Sequence, residues 1–305
     1  MFLPEAPAQP DFLELDAWLE RMRAHSRRVG QRADEHLERR SRDLKHPVHD
    51  FLFTYYNFPP AKLKRWLPAL GQVIEVTDAV LVEMPWLAAV PMVREGGFCR
   101  LDSGQMPPKV ADLARWVAAL SRAIQQRPPR FKCFGLHEWA MVYRLPREKI
   151  RHQGYELRLS PERVASVVES MTVCCSHYDA YRFFTPLALP MNTLRPTLEG
   201  RVDLEQGGCL HTNMDLYKWS SKLWPWIGSD LVGECFDLAW AGRDLDMRAS
   251  PYDLAHLGYE PVLIETLEGR LQYEAEQRDL AVRAADLRLR LQEAAEALAG
   301  PGKPG

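Results

Sequence analysis

From about residue 267 to residue 298, Leu, Ala, Glu and Arg recur at helical spacing. That pattern predicts one long terminal helix, and a helix of that length needs other helices to cover its apolar stripe. The same periodicity returns upstream. Phe12, Leu13, Leu15, Trp18, Leu19 and Met22 give residues 11–45 an amphipathic helical pattern, and ADLARWVAALSRAIQQ (111–126) reads as a helix stopped by Pro128-Pro129. Ser160-Pro161-Glu162 is a helix start, with Ser as the N-cap and Pro in the first turn, after which RVASVVESMTVCCSHYDAYRFF can run as one helix to Pro186. Further helices are predicted over roughly 212–223 and 230–248, and Ser250-Pro251-Tyr252-Asp253 repeats the N-cap logic. Strand content is confined to VIEVTDAVLVEM and EPVLIET, with REGGFCRLDSGQMPP as turn chemistry.

The expected fold is therefore mainly α: a single multi-helix domain with a few short strands and a long C-terminal helix. Its expected organisation is an N-terminal amphipathic helical arm (1–45), a catalytic helical core (46–265), and a C-terminal helix with a disordered tail (266–305). A chain of 305 residues is long enough to bury a sizeable core without staples. With 46% apolar and 26% charged residues it is an ordinary globular composition, not a disordered or collagenous one.

The opening MFLPEAPAQPDFLELD has neither a basic n-region nor an apolar h-region, and no run of 18 apolar residues occurs. A cytoplasmic protein with no membrane partner is expected, its six cysteines reduced. The 39 basic and 41 acidic side chains leave a formal charge of −2, which disfavours a protein that coats duplex DNA by global charge. Arg21 to Lys45 nevertheless holds nine basic residues against four acidic ones. That stretch is either a solvated helix face or a surface that tracks phosphates.

Three segments share a composition: Cys133-Phe-Gly-Leu-His137-Glu138-Trp139, Cys175-Ser-His177-Tyr178-Asp179, and Cys209-Leu-His211-Thr-Asn-Met-Asp215. Each joins a cysteine, a histidine within four residues, a carboxylate and, further on, an aromatic ring. In a helix His211, Asp215 and, one turn on, Lys218 share a face. A fourth segment, His46-Pro-Val-His49-Asp50 followed by Tyr55-Tyr56, gathers similar residues. Two chemistries want such a set. Carboxylates beside histidines and ringed by aromatics suit hydrolysis of a glycosidic bond. Imidazole and carboxylate donors from separate helices suit iron or zinc, although no C-x-x-C pair and no H-E-x-x-H motif is present. The plainer possibility is that all three segments are core.

HPVHDFLFTYYNFPPAKLKRW, KCFGLHEWAMVYR, CSHYDAYRFFTP, NTLRP, GCLHTNMDLYKW and DMRASPYDLAHLGYEPV resemble a bacterial family, common in actinobacteria, usually labelled 3-methyladenine DNA glycosylase. The resemblance covers roughly residues 40–275. Relatives tend to read HPVEDFLFTYY, with His-Pro-Gly after the Arg-Trp; here His49 and Leu67 stand at those places. No helix-hairpin-helix is recognisable in this chain. The positions that match the family are His46, Asp50, His137, Glu138, His177, Asp179, His211 and Asp215.

The resemblance implies a hydrolase that removes an alkylated purine from damaged DNA and requires no cofactor. Catalysis would then fall to Glu138, Asp215 and Asp179, with Trp139, Tyr143, Tyr178, Tyr55, Tyr56 and Lys218 against the substrate. The alternative is a metalloenzyme acting on a small molecule or nucleotide, with iron or zinc on His137, His177, His211 and His46. A second alternative is a non-enzymatic helical binding module.

Overall fold

Glu75 decides where the first helix begins. Its carboxylate accepts the Leu15 N–H at 3.0 Å, and its carbonyl accepts the Trp18 indole N–H at 2.7 Å. The expected helix over 11–45 is thereby split into a strand, β1 (Asp11–Leu13), and α1 (Leu15–Ser41). The computed structural model describes residues 11–150 and 155–300; residues 1–10, part of the stretch read for a leader, and the tail beyond Gly300 lie outside them.

Two short helices follow, α2 (Asp50–Thr54) and α3 (Pro60–Leu63), and then β2 (Gln72–Glu75). The strand-like run VIEVTDAVLVEM turns helical halfway, because the Thr77 hydroxyl caps α4 (Asp78–Glu83) by accepting the Val80 N–H. The stretch expected to be turn is a hairpin, β3 (Met92–Glu95) and β4 (Phe98–Leu101), closed at Gly96, whose φ of 60° suits glycine. The sheet order is β1-β2-β4-β3, parallel between β1 and β2 and antiparallel elsewhere. Leu13, Trp18, Trp66, Ile74 and Cys99 fill a small core of their own beside it, with Trp18 stacked on Trp66 at 5.8 Å.

The remaining helices are α5 (Pro108–Gln125), α6 (Leu136–Ala140), α7 (Pro161–Ser170), α8 (Tyr178–Tyr181), α9 (Arg201–Leu204), α10 (Leu210–Leu223), α11 (Ser229–Arg248) and α12 (Leu267–Ala299). The fold is mainly α, as the sequence periodicity predicts. The terminal helix α12 packs on α5, α10 and α11, which together cover its apolar stripe. The main core runs from Val29 and Ala33 of α1 to Ala295 and Leu298 of α12. Among the described residues no helix is long and apolar enough to cross a membrane.

Three local expectations fail for identifiable reasons. The helix begun at Ser160, whose hydroxyl accepts the Arg163 N–H, stops at Ser170 and does not reach Pro186. Met171 turns extended, and Asn192 then grips the next segment on both sides: its Oδ1 accepts the Cys175 N–H at 2.7 Å and its Nδ2 donates to the Cys175 carbonyl at 2.9 Å. Backbone groups tied this way are unavailable to a helix. Ser250 caps no helix; its hydroxyl accepts the Tyr252 N–H within a turn. EPVLIET forms no strand, although Val262 and Ile264 are buried.

Gly208, just ahead of α10, lies so close to the neighbouring chain that a Cβ there would sit 2.5 Å from the Arg130 carbonyl oxygen. We therefore expect Gly208→Ala to destabilise the protein by about 1–3 kcal/mol, the usual cost of forced overpacking. Urea unfolding measures this, and a midpoint equal to wild type would refute the close approach.

Candidate functional site

The three Cys/His segments converge. His137 stands in α6, His177 at the N-cap of α8 and His211 in the first turn of α10. The His137 and His211 rings meet edge to face at 4.4 Å, and His177 and His211 lie 5.5 Å apart. All three are buried.

Carboxylates bind two of the rings and flank the third. His137 Nε2 lies 2.6 Å from Asp246 Oδ1 of α11. His177 accepts the Ala180 N–H at Nδ1 and so donates from Nε2 to Asp215 Oδ2, at 3.2 Å. His211 Nε2 is 3.8 Å from Asp246 Oδ2. Burial first, then the neighbouring His137, pulls the His211 pKa down to about 3, so this ring is neutral. Burial opposes the charged form of His177 too, but Glu205 and Asp215 outweigh it and raise its pKa.

In front of the histidines opens a cavity of about 860 Å³. His211, Glu138 and Asp179 line it, and its aromatic walls include Phe51, Tyr55, Phe183 and Phe184. Phe51 and Tyr55 stack in parallel at 4.8 Å. Lys45 and Lys149 lie along its margin, both exposed.

Glu138 and Asp179, which line the cavity together with Asp50, have pKa values shifted in opposite directions. Burial, reinforced by Asp246, raises the Glu138 pKa against the opposing pull of Arg243, whose Nη1 lies 3.2 Å from Glu138 Oε1. At Asp179 burial is overcome by Lys218, which donates from Nζ at 2.6 Å, and by Arg201, so this carboxyl stays ionised. Asp246 is likewise held low: His137, hydrogen-bonded to it, outweighs its burial, and Arg243 donates to it at 2.8 Å. Pairs of carboxyls whose environments separate their pKa values are the usual arrangement for dividing acid–base labour.

The other expected site residues take different places. Asp215 is buried behind the cavity between His177 and Lys218. Lys218 bridges Asp179 and Asp215 and does not line the cavity. Trp139 is core, its indole N–H given to the Ala249 carbonyl. Tyr143 faces the other way and donates to Glu169. Tyr178 lies outside the lining, beneath Arg201, and Tyr56 is buried edge-on against Tyr217 at 5.3 Å. Tyr55 and His46 do line the cavity. His46 uses Nδ1 to accept the Val48 and His49 N–H groups.

The residues that organise the site and escaped the sequence reading are Arg243, Arg201 and Glu205. Arg243 and Asp246 sit one turn apart in AWAGRDLDM, and opposite charges at that spacing on the helix face that also carries apolar residues were the available signal. Glu205 carries no such mark; it is buried, with both carboxylate oxygens unpartnered by hydrogen bonds among the described residues. The basic stretch of α1 is largely engaged: Arg28 and Arg32 pair with Asp237, Arg23 and Arg27 with Glu20, and Arg39 with Asp50.

Two groups of donors have atoms close enough to share an ion: His137, His211 and Asp246, and His177, Asp179 and Asp215. Each already has a cation beside it, Arg243 in the first and Lys218 with Arg201 in the second. No family model, curated protein or solved structure matches the chain.

His49 offers a pH test of the margin of the cavity. Its Nε2 meets the Tyr259 hydroxyl at 2.9 Å, and its ring stacks on His46 and Trp240. Burial first, then His46, Arg39 and Arg32, depress its pKa to about 3 despite Asp50. In the unfolded chain it protonates near pH ~6.5. The unfolded state therefore binds the extra proton between these values, and stability present above the upper one is lost as pH falls towards the lower. Melting temperature followed from about pH 7 to about pH 4.5 should fall less steeply for His49→Gln than for wild type; equal slopes would contradict this assignment.

Proposed function

We propose that this chain is a hydrolase of N-glycosidic bonds that releases a purine-type base, with an alkylated purine of DNA as its substrate. The observation that carries the reading is Glu138, a buried carboxyl of raised pKa set into the lining of a roomy, aromatic-walled cavity. The resemblance described above supplies the substrate.

In this reading the flipped base lies among Phe51, Tyr55, Phe183 and Phe184, since aromatic rings accept any purine face. Lys45 and Lys149 meet flanking phosphates at the margin. A cationic alkylated base leaves readily, taking the electron pair of the glycosidic bond, so little proton donation is needed. Ionised Asp179 stabilises the positive charge that grows on the sugar. Water attacks the sugar carbon and gives its proton to Glu138. His211, neutral and lining the same cavity, orients that water.

A second reading rests on the His137–His211–Asp246 group, which could hold zinc or iron with a position open to substrate. Arg243 favours the first reading, because it already supplies Asp246 with a compensating charge at 2.8 Å.

Wild-type protein incubated with alkylated DNA should release free base, detectable by chromatography. Glu138→Gln should slow release by about 10²–10⁴-fold, the range for loss of a general base, while keeping the melting temperature. No release by wild type, or full activity in the variant, would defeat the proposal; release that required added zinc or iron would favour the second reading.

A further inference from the structure

Behind the histidines lies a second, smaller hollow of about 70 Å³. Four cysteines line it: Cys133, Cys174, Cys175 and Cys209. The chain brings them from three separate places. Cys133 precedes α6, Cys174 and Cys175 lie in the extended segment that Asn192 grips, and Cys209 is the N-cap of α10. All four are free thiols. They are close enough that an ionised thiolate at any of the other three would be felt at Cys133. The hydroxyl of Tyr273, a fully buried side chain, also lines the hollow and has no hydrogen-bond partner among the described residues. A buried donor left open in this way marks a place where an acceptor belongs.

The spacing of the sulfurs selects the class of ligand. Four thiolates on one zinc ion, each about 2.3 Å from it, must crowd within about 4 Å of one another. Among the described residues, the donor groups that converge within 4.8 Å contain no cysteine. A cluster of several irons bridged by sulfide fills the centre itself and spreads its terminal thiolates further apart.

We propose that Cys133, Cys174, Cys175 and Cys209 hold an iron–sulfur cluster in this hollow. Each thiol gives up its proton to solvent on ligation. The anionic cluster and its thiolates are then faced by Arg130 and Lys132, which line the same hollow, and the Tyr273 hydroxyl donates to a cluster or cysteine sulfur. The cluster acts by position. Cys133 comes four residues before His137, Cys175 two before His177, and Cys209 two before His211. One cluster therefore fastens from behind the three segments that carry the site histidines. This assignment does not depend on the hydrolytic reading, because it concerns what the cysteines bind.

The test is made on the untagged full chain, purified without oxygen and then incubated with ferrous iron, sulfide and a thiol reductant. With ferric iron supplied in addition to the ferrous, so that the oxidised cluster can form without oxygen, we expect iron and acid-labile sulfide in equal amounts and a broad visible absorption that dithionite bleaches. Cys133→Ser and Cys209→Ser should each lose most of both elements, whereas Cys99→Ser, altered in β4 away from the hollow, should keep them. Protein that takes up no sulfide under these conditions would overturn the proposal. So would stoichiometric zinc without sulfide, or a cluster that persists in the Cys133→Ser/Cys209→Ser double variant. Iron without sulfide, lost on His137→Ala, would also overturn it and move the metal to the histidine groups. Base release by the wild-type chain reports on hydrolysis separately.

Discussion

Arg243 is the charge around which the site is assembled. Its side chain is buried, and it reaches Glu138 of α6, Asp246 of its own helix, and the carbonyls of Pro47 and Val48 ahead of α2. The guanidinium also lies over the Phe51 ring at 4.4 Å. A buried cation with so many acceptors repays its desolvation only while all of them stay in place. Removing it would leave Glu138 and Asp246 without their shared cation in a medium that disfavours charge, and would raise the Glu138 pKa further. The opposite pKa shifts of Glu138 and Asp246 thus meet at one planar side chain that joins α6 to α11.

How far the sequence could be read depends on what kind of information each feature needs. The helices α5, α10, α11 and α12 are legible because apolar period and start signals are local. The interruption after Ser170 is not, since it depends on Asn192, whose hold on Cys175 is made only after the chain has folded back. The convergence of His137, His177 and His211 was legible as shared composition but not as distance. The aromatic residues beside them misled in a specific way. Trp139 is adjacent to Glu138 in α6 and so points to a different side, into the core, whereas Tyr143 lies in the turn after the helix and donates to Glu169. Four rings that do wall the cavity, Phe51, Tyr55, Phe183 and Phe184, stand further along the segments that carry His46 and His177.

The charge balance changes meaning once partners are known. The excess of basic residues in α1 reads from sequence as either a solvated helix face or a surface for phosphates. Much of it instead ties that helix to α11 through Asp237 and to α2 through Asp50. The lysines that line the cavity are Lys45 and Lys149.

Asn192 carries a consequence of a different order. It accepts from Cys175 with one end of its amide and donates with the other to the carbonyls of Cys175 and Leu194. Only a side chain with an acceptor and a donor at that reach can do both. Slow hydrolysis of its amide, which takes up water and releases ammonia, would turn this residue into an aspartate of nearly the same outline, with an acceptor aimed at two carbonyl oxygens. The segment bearing His177 would then lose its clasp without any change in shape elsewhere. Chemical ageing of a single amide is enough to unfasten one third of the histidine cluster.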